Sequence, residues 1–314
     1  MSDRLKGKSA AVTGGGNGIG RAVSLAFAAE GANVLVADYG ASRGGEGADA
    51  APAEKVVAEI KAKGGNAAAF FGSVADFKKA EELVDSCVKN FGRIDILVNC
   101  AGILKERMVW NMSEEEWDSV VAVHLKGTFN CCRRAAALMR EQRYGRIINT
   151  TSEAWKGVTG QSNYSAAKGG IVSFTRSIAR ELGRYGVTAN AIAPLAGTRM
   201  TLTPEVIASA KKQYEMGIVS KEFYELAVNM PGPEYIAPFV LYLASDKAAN
   251  INGRIFHITK GKIAIYHEPV EQYTVYKADA DGMWTFEDLE KFVPSSLLVG
   301  YVNPAPPEPP KEKK

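Results

Sequence analysis

Short apolar runs alternate with helix-length amphipathic stretches along most of the chain, and few folds accept that alternation. The apolar runs cover residues 9–12, 34–37, 67–71, 94–98, 147–148, 187–193 and 254–258. Helical patterns fill residues 21–30, 53–63, 76–91, 113–139, 162–185 and 233–244. The runs are continuous in polarity, which marks strands covered on both faces. Strict alternation with helices implies parallel strands joined by right-handed crossovers. The expected fold class is α/β, a doubly wound parallel sheet of the Rossmann-like kind, built as a single domain with a C-terminal extension. Ligands of such a sheet sit beyond the carboxyl ends of its strands.

Three segments break the pattern. Residues 40–52 are rich in Gly, Ala and Ser and read as a flexible insert. Residues 198–230 stand where a lid could lie. Residues 261–314 form the extension. The expected division is a body over 1–260, an extension over 261–303 packed on the body or a neighbouring subunit, and a Pro/Lys/Glu-rich disordered tail over 304–314. With 38 basic and 35 acidic side chains the net charge is +3, too even for a strongly basic nucleic-acid binder. No apolar run approaches the ~18 residues of a membrane span, and residues 1–8 lack a signal peptide's apolar core. A cytoplasmic protein is expected. Cys87, Cys100, Cys131 and Cys132 show no CxxC spacing and read as reduced thiols. His124, His257 and His267 are dispersed, and no metal site is expected.

The turn Thr13-Gly-Gly-Gly-Asn-Gly-Ile-Gly20 joins the first strand to the first helix. A diphosphate can approach backbone there because no Cβ intervenes, and a helix N-terminus offers free N–H groups. Asp38 follows Gly20 by 18 residues and closes the second strand. A dinucleotide fold places there the acid that bonds the ribose hydroxyls. Its charge would repel a 2′-phosphate, so NAD is expected over NADP, with Arg43 the nearby cation that could oppose this.

Tyr164 and Lys168 are four residues apart at the start of a helix and share a face. Ionising a free tyrosine at pH 7 costs about 4 kcal/mol, and a neighbouring ammonium lowers that cost. Such a tyrosine can take the proton of an alcohol. Three companions give the pair meaning: the glycine turn, Asn99-Cys-Ala-Gly102 and Thr151-Ser152. Together with Pro194 and Thr198, these residues resemble the short-chain dehydrogenase/reductase family over about residues 5–260. The segments Val123-His-Leu-Lys-Gly-Thr-Phe129, Tyr144-Gly-Arg-Ile-Ile148 and Ile192-Ala-Pro-Leu-Ala-Gly-Thr-Arg-Met200 are similar to the 3-hydroxyacyl-CoA dehydrogenase domain of peroxisomal multifunctional β-oxidation enzymes and its bacterial relatives.

The resemblance implies an NAD-dependent enzyme that oxidises a secondary alcohol to a ketone, with a 3-hydroxyacyl-CoA thioester as the expected substrate. A hydroxysteroid or other bulky-alcohol dehydrogenase, or a non-catalytic partner subunit, is the alternative. It implies a homodimer or homotetramer, a small-molecule substrate, and no nucleic-acid or membrane partner. The catalytic residues implied are Ser152, Tyr164, Lys168 and His124. The family usually sets its serine 13 residues before the tyrosine, which here is Thr151; alignment from the strand side selects Ser152 instead. His124 stands where many members carry asparagine. The cofactor contacts implied are Gly14, Asn17, Gly18, Ile19, Gly20, Asp38, Ser73, Val74, Asn99, Ala101, Gly102, Tyr164, Lys168, Pro194 and Thr198. Trp155 is expected in the substrate pocket, and Cys100 in packing.

Overall fold

The computed structural model describes residues 3–199, 201–217, 219–278 and 282–305. Seven parallel strands and one antiparallel edge strand form a single sheet. Along the chain run β1 (Ser9–Thr13), α1 (Gly18–Ala29), β2 (Asn33–Asp38), α2 (Ala51–Ala62), β3 (Asn66–Phe71), α3 (Phe77–Phe91), β4 (Ile96–Asn99), α4 (Glu114–Val121), α5 (Gly127–Gln142), β5 (Gly145–Thr150), α6 (Ser162–Leu182) and β6 (Val187–Pro194). Then follow α7 (Pro204–Glu215), α8 (Lys221–Val228), α9 (Ala237–Ala244), β7 (Ile255–Thr259) and β8 (Lys262–Ile265). The strand order is β3-β2-β1-β4-β5-β6-β7-β8, so the order reverses between β1 and β4. That reversal opens a crevice at their carboxyl ends.

The two faces of the sheet are read off adjacent residues. Val12, Val34, Val36, Ile96, Val98 and Ile148 pack toward α1, α2 and α9. Their chain neighbours Ala11, Leu35, Leu97 and Ile147 pack toward α3, α5 and α6. Two-sided burial explains why these strands read as continuous apolar runs. Cys87, Cys131 and Cys132 are buried on the second face, and burial pushes the Cys87 thiol up to about 12.

Three expectations change. The helix read over 113–139 is interrupted. Ser113 caps α4 in a capping box with Glu116, but Ala122–Lys126 is a π-helical turn before α5. The extra residue of such a turn re-aims the side chains it carries, and π-turns recur at functional sites. The body does not end at residue 260. A two-residue turn, with Gly261 at φ +71, returns the chain as β8, antiparallel to β7, and the first compact unit extends to Tyr266. The region 198–230 contains α7 and α8.

Among its described residues the second unit, residues 267–314, contains the helix α10 (Phe286–Phe292), followed by a π-helical turn over Val293–Leu297. Thr285 caps it in a capping box with Asp288. Of the tail expected over 304–314, residues 306–314 lie outside the described residues. Among the described residues, no helix is long and apolar enough to cross a membrane.

Candidate active site

The glycine turn crosses the crevice at close quarters. Gly14 has φ +63, and a Cβ on it would lie 2.9 Å from the Ala101 backbone. A Cβ on Gly16 would lie 2.8 Å from an Asp38 carboxylate oxygen. Asn17 precedes α1 in an extended conformation, with no side-chain cap on the helix, so α1 presents its first N–H groups to an anion. The Asp38 carboxylate is buried at the end of β2. One oxygen accepts from Gly16 N–H at 2.9 Å and the other from Gly40 N–H at 2.7 Å. A carboxylate has about four acceptor positions, so capacity remains for ribose hydroxyls.

Thr13 Oγ1 accepts from the N–H groups of Cys100 and Ala101, at 3.1 and 3.2 Å. This ties β1 to the chain leaving β4. Asn99 is the correction here. Its amide is buried and donates to Asn149 Oδ1 of β5 at 2.9 Å. It holds two strands together and is not among the residues lining the cavity.

The catalytic candidates meet at the ends of β4 and β5. Tyr164 and Lys168 lie on α6, with Lys168 Nζ 5.4 Å from the Tyr164 ring centre. Lys168 Nζ donates to the Thr150 carbonyl at 2.6 Å. Burial pulls its pKa down to about 7. Burial raises the Tyr164 pKa; a hydrogen bond with Ser152 opposes that shift and the charge of Glu106 reinforces it. Burial thus shifts both partners toward their neutral forms.

The pairing of Ser152 with Tyr164 bears on the spacing question. Ser152 caps the helical turn Glu153–Lys156, and its hydroxyl lowers the phenol's pKa against the effect of burial. Thr151 is buried, and its Oγ1 donates to the Lys168 carbonyl at 2.8 Å. Both residues line the cavity, but the Thr151 hydroxyl proton is committed to helix backbone. Ser152→Ala is therefore expected to lower kcat/KM by about 10²–10³-fold, the range for removing an oriented donor from a developing charge. Thr151→Val keeps the shape and should cost less than about tenfold. Steady-state kinetics on both variants checks this, and the reverse ranking would reinstate Thr151.

His124 sits in the π-turn with its ring edge-on to Tyr164, centroids 5.0 Å apart. Its Nε2 lies 2.8 Å from the Ile103 carbonyl oxygen and 3.1 Å from the Ile103 nitrogen. Its Nδ1 is buried without a hydrogen-bond partner among the described residues. Burial and the Lys168 charge hold its pKa well below the usual histidine value, so the ring is neutral.

These groups share a cavity of about 530 Å³, a size suited to a cofactor or small molecule. Gly14, Asn17, Gly18, Ile19, Gly20, Asp38, Ser73, Val74, Ala101, Gly102, His124, Ser152, Tyr164, Lys168, Pro194 and Thr198 all line it. Residue 39, residues 41, 42 and 44–46 of the insert, and residues 103–105 line it too. Sequence reasoning missed these; the insert's glycines, able to lie close to a ligand, were the available signal. Trp155 is a second correction. It stacks edge-on against Tyr266 at 5.3 Å and packs with Val172, Ala191 and Ile255, outside the cavity. A larger groove of about 990 Å³ between α1 and α9, lined by Leu25, Pro238 and Leu241, contains none of the catalytic candidates.

The glycine cradle, the uncapped helix and the buried acid at the end of β2 fit a dinucleotide, and a hydroxyl, a phenol and an amine line the same cavity. The comparisons agree. A family profile described as short chain dehydrogenase matches residues 8–206. The hydroxyacyl-CoA dehydrogenase ChsB1 of Mycobacterium tuberculosis is 41% identical, over 84% of this chain and 81% of its own. The peroxisomal hydratase-dehydrogenase-epimerase of Neurospora crassa is 40% identical over 83% of this chain. The peroxisomal multifunctional enzyme type 2 of Mus musculus is 42% identical over 83%. The aligned region spans 27% and 32% of those two longer proteins. The crystal structure of a short chain dehydrogenase from Mycobacterium avium superimposes with TM-score 0.78 at 42% identity, covering 96% of this chain and 97% of that one. The chain belongs to the short chain dehydrogenase family and is an oxidoreductase of that family.

Proposed function

We propose that this oxidoreductase uses NAD to interconvert a secondary alcohol and a ketone, and that its substrate is a 3-hydroxyacyl-CoA thioester. The observation that carries the reading is the meeting of Ser152, Tyr164 and Lys168 in the cavity that Asp38 borders. The family works with nicotinamide cofactors, which supply the hydride acceptor. In this reading Ser152 holds the alcohol oxygen and Tyr164 takes its proton. Lys168 holds the nicotinamide ribose, and Thr198 and Pro194 border the nicotinamide. His124 buttresses the Tyr164 ring and offers Nδ1 as an acceptor. Asp38 selects NAD. Arg43, the cation that could have favoured a 2′-phosphate, is paired with Glu106 at 2.5 Å.

The thioester assignment draws on relatives named hydroxyacyl-CoA dehydrogenase and hydratase-dehydrogenase-epimerase. A second reading, a 3-oxoacyl thioester on a carrier protein, draws on a 3-oxoacyl-[acyl-carrier-protein] reductase of Staphylococcus epidermidis, 41% identical over 98% of its length. The intact cluster argues against a non-catalytic subunit. We also propose a homodimer or homotetramer in the cytoplasm.

The test offers NAD and NADP with three substrate sets: 3-hydroxyacyl-CoA esters, the same acyl groups on carrier protein, and free hydroxysteroids. NAD is expected to bind at least about tenfold more tightly, since like charges set against each other cost several kcal/mol, and the CoA esters are expected to give the fastest reduction. Equal or tighter NADP binding contradicts the role of Asp38. Faster turnover on carrier protein or free steroid replaces the CoA assignment.

A further inference from the structure

The insert after β2 carries more order than its composition suggests. Asp49 N–H donates to the Tyr39 carbonyl at 3.0 Å and Ser42 N–H to the Glu46 carbonyl at 2.8 Å. The insert also crosses to the loop after β4. Leu104 N–H donates to the Arg43 carbonyl at 2.9 Å, and Arg43 Nη2 reaches Glu106 Oε2 at 2.5 Å. Its residues between these anchors line the cofactor cavity. It is a strap across that cavity.

Glu106 has a second partner. Its Oε1 accepts from Gln161 Nε2 at 2.6 Å, and Gln161 is the residue that leads into α6. The same loop and the same helix start are joined by further bonds. Arg107 N–H donates to the Gly160 carbonyl at 2.8 Å. Buried Asn163 donates to the Lys105 carbonyl at 3.0 Å, and its own Oδ1 accepts from Tyr164 N–H at 2.7 Å. One carboxylate therefore bridges the strap and the turn that carries Tyr164.

We propose that Arg43 and Glu106 form a latch: the guanidinium docked from the strap neutralises the carboxylate near the phenol, so closing the strap over a dinucleotide and readying Tyr164 to take a proton are one event. The proposal rests on the dinucleotide reading of the cavity. Arg43 and Glu106 act here as positioning residues.

The surrounding charges leave Glu106 as the group to control. Lys105 is paired with Glu115 at 3.0 Å and Arg107 with Glu116 at 2.7 Å. Glu153 is paired with Lys156 and lies 3.7 Å from His257 Nδ1. Glu46 is hydrogen-bonded to Ser42 within the strap. Lys168 and His124 are buried beside the phenol, with Cys100 next to Lys168 and Arg199 at the cavity wall. The negative charge of Glu106 favours the protonated phenol. Docked Arg43 cancels it at short range, and undocked Arg43 leaves it bare.

The test uses Arg43→Ala, Glu106→Gln and the double variant in the full-length protein. NAD affinity is measured by calorimetry, and the pH profile of kcat/KM for alcohol oxidation is recorded at low and high salt. Arg43→Ala should weaken NAD by about 2–5-fold, in keeping with one exposed charge pair, and move the rising limb up by about half a pH unit at low salt. Glu106→Gln should move the limb down by about as much. In the double variant the limb should stay with that of Glu106→Gln, because Arg43 acts through Glu106. The shifts should shrink at about 1 M salt, where charges more than ~3 Å apart are screened.

Weaker NAD binding with unmoved limbs overturns the latch and leaves a simple strap. An equal shift from Arg43→Ala with and without Glu106 also overturns it. No turnover by the unsubstituted protein on any secondary alcohol refutes the dehydrogenase reading and the latch with it, whereas a normal unsubstituted profile with unmoved variants refutes the latch alone.

Discussion

Tyr164→Phe is expected to slow hydride transfer by about 10²–10⁴-fold, the contribution of a positioned proton-transfer group, with little change in NAD affinity. The substitution removes one oxygen from a ring whose position is set by other contacts. The ring would keep its edge-on packing with His124, and the Tyr164 N–H would keep its bond to Asn163. What disappears is the hydroxyl that in the proposed mechanism takes the alcohol proton. Single-turnover kinetics with saturating NAD isolates the step. Near-normal turnover in the Phe variant would remove Tyr164 from the mechanism.

Lys168→Met is expected to act on function and stability in opposite directions. The Lys168 amine is buried, donates to the Thr150 carbonyl at 2.6 Å, and in the proposed mechanism also holds the ribose. Its loss should weaken NAD and slow the reaction by about 10²-fold or more. Stability follows from the pKa of about 7 that burial imposes. An unfolded lysine titrates near 10.4. Between about pH 7 and 10 the unfolded chain therefore binds a proton that the folded chain does not, and parent stability rises with pH across that window. The destabilisation is fully present below about pH 7, where the buried amine must be charged. Met removes it. The NAD-free variant should melt higher than the parent at pH 6, with the difference shrinking toward pH 10. Thermal melts at the two pH values check the sign; a variant that melts lower at pH 6 and gains no ground on acidification contradicts the buried-charge account.

The fold was legible where burial is two-sided. β1, β2, β4 and β6 lie between helices, so apolar runs alone mark them. β8 was not legible, because it is an edge strand with Ile263 and Ile265 half exposed, and its apolar content read as part of an extension. The π-turn at Ala122–Lys126 leaves no trace in composition, since Ala, Leu and Lys suit an ordinary helix equally.

The candidate site was legible through spacing. Tyr164 and Lys168 share a helical face, and the glycine turn and Asp38 fall at strand ends. Orientation was not legible. Asn99 and Asn149 end adjacent strands and pair across them, and spacing along one strand does not show whether an amide turns to the cavity or to its neighbour. Trp155 follows Ser152 closely, yet the turn directs it toward Tyr266 on the strand edge. The strap's Arg43 and the loop's Glu106 are 63 residues apart, and no local pattern connects them.

Central to the account is direct transfer of hydride from an alcohol carbon under the control of Ser152, Tyr164 and Lys168. The most direct measurement supplies a 3-hydroxyacyl-CoA deuterated at its carbinol carbon, with NAD, and follows the label by mass spectrometry. The account predicts deuterium in the reduced nicotinamide, one atom per ketone formed, and the same ratio in Tyr164→Phe with both products formed more slowly. Deuterium released to water, or ketone formed without labelled cofactor, would contradict it.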